Sequence, residues 1–255
     1  MAIAKNLPSS KSWEEGKSSL MYDLMREKYL QCPEYREALR SDTVFVEDTA
    51  HPFWGRGKAG NGKNVLGEIH GEISRNGKSI LIVGSSHVRG LASLLQQAMS
   101  SLSTLVAVEE KCFPGGTTET IHRWVGDNAS MLGSYDYVFV LVGGNNFYTK
   151  QGMFRMDAKK VCSLLTDLYR DIMQLAPNSR LVTTEILPRC LPRSQGSDGD
   201  LMRNYNRQAA RTNSGINFDV HLPELWGSGC FGNTYLFRRD RVHLNDLGKV
   251  ILATK

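Results

Sequence analysis

Ser86, the glycine pair Gly115 and Gly116, Asn145, Asp240 and His243 are the residues whose types and spacing could do chemistry. A serine hydroxyl attacks a carbonyl when a base removes its proton, and a histidine serves as that base when an acid fixes its tautomer. Asp240 stands three residues before His243 in Arg238-Arg-Asp-Arg-Val-His-Leu-Asn-Asp-Leu-Gly248. Within one turn of chain its carboxylate can accept from one imidazole nitrogen while the other faces the serine. Backbone N–H groups of Cys112-Phe-Pro-Gly-Gly-Thr-Thr118 and the Asn145 amide in Val140-Leu-Val-Gly-Gly-Asn-Asn146 are candidate donors to an oxyanion. Each signal alone is ordinary, because serines cap helices, Gly-Gly-Asn makes turns and Asp-x-x-His pairs occur on surfaces. In this order they are the parts of an acyl-transfer site.

These residues need elements to position them. Ile80-Leu-Ile-Val-Gly-Ser-Ser-His-Val-Arg-Gly90 reads as a strand buried on both faces, with Gly84 permitting a tight turn that delivers Ser86. Val88, Leu91, Leu94, Leu95 and Met99 follow at helical spacing. Further strands are expected at Thr104 to Val108, Tyr137 to Val142 and Arg180 to Ile186. Helices are expected at Val88 to Ser100, Glu119 to Met131, Asp157 to Leu175, Gly199 to Thr212 and Asp246 to Lys255. Apolar strands alternating with helices predict an α/β fold of three layers, α/β/α, around a central parallel sheet. Such sheets place ligands beyond the carboxyl ends of their strands, where the informative turns are expected to fall. Substrate choice is expected in the loops Phe147 to Met156 and Cys190 to Asp200.

His87 adjoins Ser86, but a neighbour at a helix start points elsewhere, so His243 is the expected base. Arg238, Arg239 and Arg241 read as a solvated charge run, with an anionic substrate group as the other reading. The five cysteines (Cys32, Cys112, Cys162, Cys190 and Cys230) are widely spaced without a C-x-x-C pair, so neither a disulfide framework nor a zinc site is indicated. The formal net charge is +5; residues 1–78 carry 12 basic and 11 acidic side chains and the remainder 19 and 15. Neither part demands nucleic acid, which stays a weakly supported partner. With no apolar leader and no run of membrane-spanning length, a cytoplasmic or nuclear protein without a membrane partner is expected. The expected partner is a small-molecule ester or acyl substrate, the chemistry needs no cofactor, and the oligomeric state is left open.

The first 75 residues read differently. Leu20, Met21, Leu24, Met25 and Tyr29 form one stripe of an amphipathic helix over residues 17–31. A short helix to Arg40 and a strand at Thr43-Val-Phe-Val-Glu47 are expected next. Gly55-Arg-Gly-Lys-Ala-Gly60 matches G-x-G-x-x-G, but His51-Pro-Phe-Trp54 stands where a dinucleotide fingerprint needs its strand. Gly57 to Asn64 imitates a P-loop, yet Asn64 occupies the place of the hydroxyl that would hold magnesium.

From Lys78 onward the blocks resemble, in order, those of the SGNH/GDSL hydrolase superfamily. The resemblance places the family's serine at Ser86, its glycine donor at Gly115 or Gly116, its asparagine at Asn145, and its acid and base at Asp240 and His243. Ile186-Leu-Pro-Arg189, Asn204-Tyr-Asn206 and Val242-His-Leu-Asn245 look like SGNH domains of invertebrate and retroelement-associated proteins. The chain departs from the family pattern in three places. Ser85 replaces the aspartate of G-D-S, Asn146 the aspartate after the asparagine, and Arg241 a glycine, which predicts relaxed geometry at the site.

Residues 13–75 resemble the C-terminal half of a NADAR (YbiA-like) domain. The likeness rests on Trp13, Met21, Lys28, Tyr29, Leu39, Glu47, His51-Pro-Phe-Trp-Gly55 and Gly62-Lys-Asn-Val-Leu-Gly67. It implies N-glycosidase chemistry on ADP-ribose-type N-glycosides, with Glu47, Trp54, Asn64 and Gly67 near the ligand. His51 stands where that family has an acid, and a half domain lacks a layer of its core. The expected organisation is a mostly helical partial NADAR-like segment over 1–76, then an SGNH hydrolase-like domain over 77–255. Three functions follow: an SGNH-type serine hydrolase acting on an ester or acyl group, a non-catalytic SGNH module for protein or nucleic-acid interaction, and an ADP-ribosyl N-glycosidase fragment.

Overall fold

The computed structural model describes residues 11–40, 44–99, 105–148, 154–187, 189, 197–215, 236–240 and 242–253. They fall into two compact units. One runs to Gly77 and includes the start of the second strand, Leu105 to Ala107; the other holds the rest.

The first unit contains α1 (Lys11–Gln31), α2 (Pro33–Ala38) and α3 (Val65–Asn76). Its core gathers Tyr29, Tyr35, Leu39, Ile69 and Ile73 with Leu105 and Ala107, so residues distant in sequence close it. Buried Arg36 ties α1 to α2 by donating to the carbonyls of Tyr29 and Leu30, satisfying the end of α1 as a basic side chain can. The expected stripe on α1 is corrected in part. Leu20 and Leu24 are 50% and 52% exposed, while Met21, Tyr22, Met25 and Tyr29 carry the packing. The expected strand at 43–47 is also corrected, because residues 44–47 join no ladder and Val44 is 87% exposed. The Asn64 amide takes the partner strand's place, donating to Phe45 O at 2.9 Å and accepting from Glu47 N at 2.8 Å. Thr43 lies outside the described residues.

The second unit is organised by a four-stranded sheet of order β2-β1-β3-β4, with β1 (Gly77–Ser85), β2 (Leu105–Phe113), β3 (Tyr137–Leu141) and β4 (Arg180–Thr183). Both β1 with β3 and β3 with β4 pair in parallel, in a register that sets Gly84 beside Leu141. Successive side chains leave opposite faces of a strand. Accordingly Leu81, Val83, Val138 and Val140 enter one core with α5 (Thr118–Asp127), α8 (Ala158–Leu175) and α9 (Ser197–Ser214). Ile80, Ile82, Phe139 and Leu141 enter the other with α4 (Leu91–Met99) and α10 (Asp246–Ala253). Two short helices complete the unit, α6 (Ala129–Leu132) and α7 (Gly144–Phe147). This is the expected parallel sheet flanked by helices.

Element boundaries moved for identifiable reasons. β2 continues to Phe113 although its second half is polar, because the carboxylates there serve neighbours. Glu109 accepts from the Tyr135 hydroxyl, and Glu110 accepts from Gly90 N and Ala92 N at the head of α4. The helix expected from Val88 starts at Leu91, after a 3₁₀ turn at Ser86–Val88 and Gly90 at φ +79°. The helix expected over 119–131 breaks at Asn128, whose side chain donates to Trp124 O. β4 ends at Thr183, three residues early. Ser100, Thr104, Cys190, Cys230, Lys255, half of the expected substrate loop 147–156 and most of the one at 190–200 lie outside the described residues.

Candidate active site

Ser86 follows directly on β1. The geometry there corrects the reading of Gly84, whose need is space. A Cβ on Gly84 would lie 2.2 Å from Leu141 O and 2.7 Å from Val88 Cγ1, closer than any side chain tolerates. Glycine therefore lets β1 pass β3 and bend into the Ser86 turn. Ser85, where the family has aspartate, is buried, and its carbonyl accepts from the Cys112 thiol at 3.7 Å.

His243 is presented by the loop ahead of α10. Asp240 shapes that loop and the ring together: Oδ1 accepts from Val242 N and His243 N, each at 2.9 Å, and Oδ2 lies 2.6 Å from His243 Nδ1. His243 Nε2 is 2.8 Å from Ser86 Oγ. Serine, histidine and aspartate thus form one hydrogen-bonded chain across residues 157 positions apart. Desolvation works against the Asp240 anion, but the His243 side chain and the two backbone N–H groups outweigh it and hold the carboxyl at about 2. It stays ionised wherever His243 could act as a base. Arg241 lies outside the described residues.

The two glycines separate in role. Gly116 N donates to Phe113 O at 2.8 Å and closes a turn over Pro114 and Gly115, whose φ of +73° suits the third position of a type II turn. The Gly116 N–H is thereby committed, which leaves Gly115 N–H as the candidate donor. Asn145 donates one amide N–H to Gly116 O at 3.0 Å, which joins the second and third turns and leaves its other N–H for an acceptor. Asn146 is fully buried. Its Oδ1 accepts from Thr118 N and Thr118 Oγ1, and its Nδ2 donates to Glu119 Oε2 at 2.7 Å. Glu119 thereby sets a carboxylate against the Asn146 amide. Desolvation opposes the Glu119 anion, yet hydrogen bonds from its own backbone, Thr117 and Asn146 hold it below the usual carboxylate range.

Sequence reasoning missed how close His87 comes: its ring lies 5.4 Å from that of His243. Burial first, then the charges of His243, Arg189 and Lys249, push its imidazole down to about 3, so His87 is neutral near pH 7. Its Nδ1 is enclosed without a hydrogen-bond partner. Buried Lys249 on α10 donates to Arg89 O and ties the terminal helix to the chain just after the Ser86 turn. No lone sequence signal marks either residue.

The residues singled out by the NADAR resemblance belong to the first unit. Asn64, at φ +53°, is spent on Phe45 and Glu47 as described. A Cβ on Gly67 would strike Phe45 O and the Asn64 amide at 2.2 and 2.4 Å. Trp54 O accepts from Leu66 N, and Trp54 N donates to His51 Nδ1 at 3.3 Å, so His51 closes the turn that holds the tryptophan. Among the described residues no three His, Cys, Asp or Glu side chains come together as a metal site requires, and no helix is long and apolar enough to cross a membrane.

No protein-family model and no curated protein matches the chain. Solved structures do. An acetyl xylan esterase superposes with a TM-score of 0.53 at 18% identity, covering 69% of this chain and 96% of its own. A protein described as a GDSL-like lipase from Parabacteroides merdae gives 0.51 at 18%, covering 69% and 92%. A lipase from a goat rumen metagenome gives 0.50 at 12%, covering 69% and 94%. These likenesses show a shared fold, the parallel sheet and flanking helices of GDSL-type hydrolases.

Proposed function

We infer that the chain is a serine acylhydrolase of the SGNH type, acting on an ester or acyl group. One observation carries the reading: Ser86 Oγ stands 2.8 Å from His243 Nε2, while Asp240 Oδ2 stands 2.6 Å from His243 Nδ1 on the far side of the ring. In this reading His243 takes the Ser86 proton as the hydroxyl oxygen attacks the carbonyl carbon, and Asp240 holds the tautomer and offsets the imidazolium charge. The N–H groups of Ser86 and Gly115 and the second amide N–H of Asn145 receive the oxyanion. His243 then returns the proton to the departing alcohol, and water repeats the sequence to release the acid. His87, neutral and with its ring 5.4 Å from that of His243, adds no competing charge.

A fluorophosphonate probe, followed by peptide mapping, tests this. Modification at Ser86 that disappears in His243→Ala is expected. Folded protein that takes no label refutes the reading and leaves the non-catalytic module. Salt-dependent retention on RNA or DNA would then identify its partner class.

A further inference from the structure

Arg189 is held in place unusually firmly for a residue beyond the end of a strand. The Asn206 side-chain amide grips its backbone on both sides, accepting from Arg189 N at 2.9 Å and donating to Arg189 O at 2.8 Å. The guanidinium lies over the Tyr205 ring, 4.4 Å from its centroid. Tyr205 is itself immobile: fully buried, its hydroxyl donates to Leu187 O at 3.1 Å and its ring meets the edge of Phe147 at 5.4 Å. That stack sits against the turn carrying Asn145. A Cβ on Gly144 would come within 2.7 Å of the Tyr205 hydroxyl, and one on Gly143 within 2.8 Å of Ile186. The arginine is thus fixed at the carboxyl ends of β3 and β4, where parallel sheets place ligands.

Two facts make this arginine incomplete as it stands. Its Nε is buried without a hydrogen-bond partner, and among the described residues no carboxylate pairs with it. Its charge is also felt at the His87 imidazole, beside His243. An anion arriving with the substrate supplies the counter-charge that the guanidinium lacks among the described residues. A planar fork stacked on an aromatic ring suits a carboxylate or phosphate better than a neutral group.

We propose that Arg189 is a specificity-determining residue that binds an anionic group of the substrate, so that the preferred esters are acidic ones bearing a carboxylate or phosphate-type oxyanion near the scissile bond. The proposal rests on the hydrolase reading above. Three 4-nitrophenyl esters test it: the hemisuccinate, its neutral methyl ester, and the 3-phosphonopropanoate, each measured as kcat/KM with the full chain. The intact protein is expected to prefer at least one acidic ester over the neutral one by about tenfold or more, and the two acidic esters identify the anion. Arg189→Met should lower that ratio on the order of 10- to 100-fold, mostly through KM, as loss of a charge-assisted hydrogen bond does. Arg189→Lys should restore part of it. A ratio near one in the intact protein overturns the proposal while leaving the hydrolase reading standing, provided Ser86 takes the fluorophosphonate label. An equal fall on all three esters in Arg189→Met, with no preference restored by Arg189→Lys, also overturns it and makes Arg189 a clamp for the β4 end. Absence of both label and turnover removes the hydrolase reading and this inference together.

Discussion

Asp240 does two jobs with one carboxylate, and they can be separated by substitution. Asp240→Asn keeps an oxygen for the loop N–H groups of Val242 and His243 but presents an amide to the ring, favouring the wrong tautomer. On the hydrolase reading kcat should fall on the order of 10³- to 10⁴-fold, with little change in circular dichroism. Because the folded carboxyl titrates near 2 against 3.8 when unconstrained, its stabilising effect is present above about pH 4 and lost as pH falls through 2. His87 behaves oppositely. Held neutral down to about 3 against an ordinary 6.5, it leaves the folded chain short of a proton that the unfolded chain binds between those values. Stability should fall as pH drops from 6.5 towards 3, and His87→Gln should flatten that fall; equal changes in urea midpoint between pH 7 and pH 5 for variant and parent would disprove it. The nucleophile, base and acid were legible because their spacing is set by hydrogen-bond reach. Arg189 was not, since only folding brings it to the site, and His87 was set aside because the turn that aims its ring at His243 is not visible in the sequence.

Packing between elements explains why an asparagine stands at position 146. An aspartate at position 146 would face Glu119 at hydrogen-bond distance, and two carboxylates so placed cannot both ionise. Asn146→Asp should therefore destabilise the second unit by on the order of 2 kcal/mol, and Glu119→Gln should recover most of the loss in the double variant. Additive losses in a urea double-mutant cycle would show that the pair is not coupled. Gly84→Ala tests the close pass of β1 and β3, where the new methyl meets the Leu141 carbonyl, and a loss of about 1–3 kcal/mol is expected. Strands β1 and β3 were legible from their apolar runs because both faces are covered. The polar end of β2 and the late start of α4 were hidden, because they depend on hydrogen bonds between Glu110 and the N–H groups of Gly90 and Ala92, which are distant in sequence. Val44 to Glu47 misled for the complementary reason: β-branched residues suit an extended chain, but a side-chain amide rather than a strand pairs with it.

At the scale of the whole molecule, β2 belongs to both units. Its first residues, Leu105 and Ala107, pack with Tyr29, Ile69 and Ile73, while its later carboxylates hold the head of α4 and the Tyr135 hydroxyl. An apolar segment from beyond residue 77 thus completes the core of the first unit. No local pattern announces that, since a strand start looks the same whichever core it enters. A fragment beginning at residue 78 would leave Leu105 and Ala107 without that cover, at a cost of about 2–3 kcal/mol for the leucine alone. Its melting temperature should drop by roughly 5 °C or more relative to the full chain, with increased binding of a hydrophobic dye. Ser86, Gly115, Asn145, Asp240 and His243 all lie in the second unit, so fluorophosphonate labelling per folded molecule should survive the truncation. An unchanged melting temperature would show that the first unit contributes nothing to β2. Lost labelling in a fragment that still folds would show that the Ser86 turn depends on α4 being anchored through a fully covered strand.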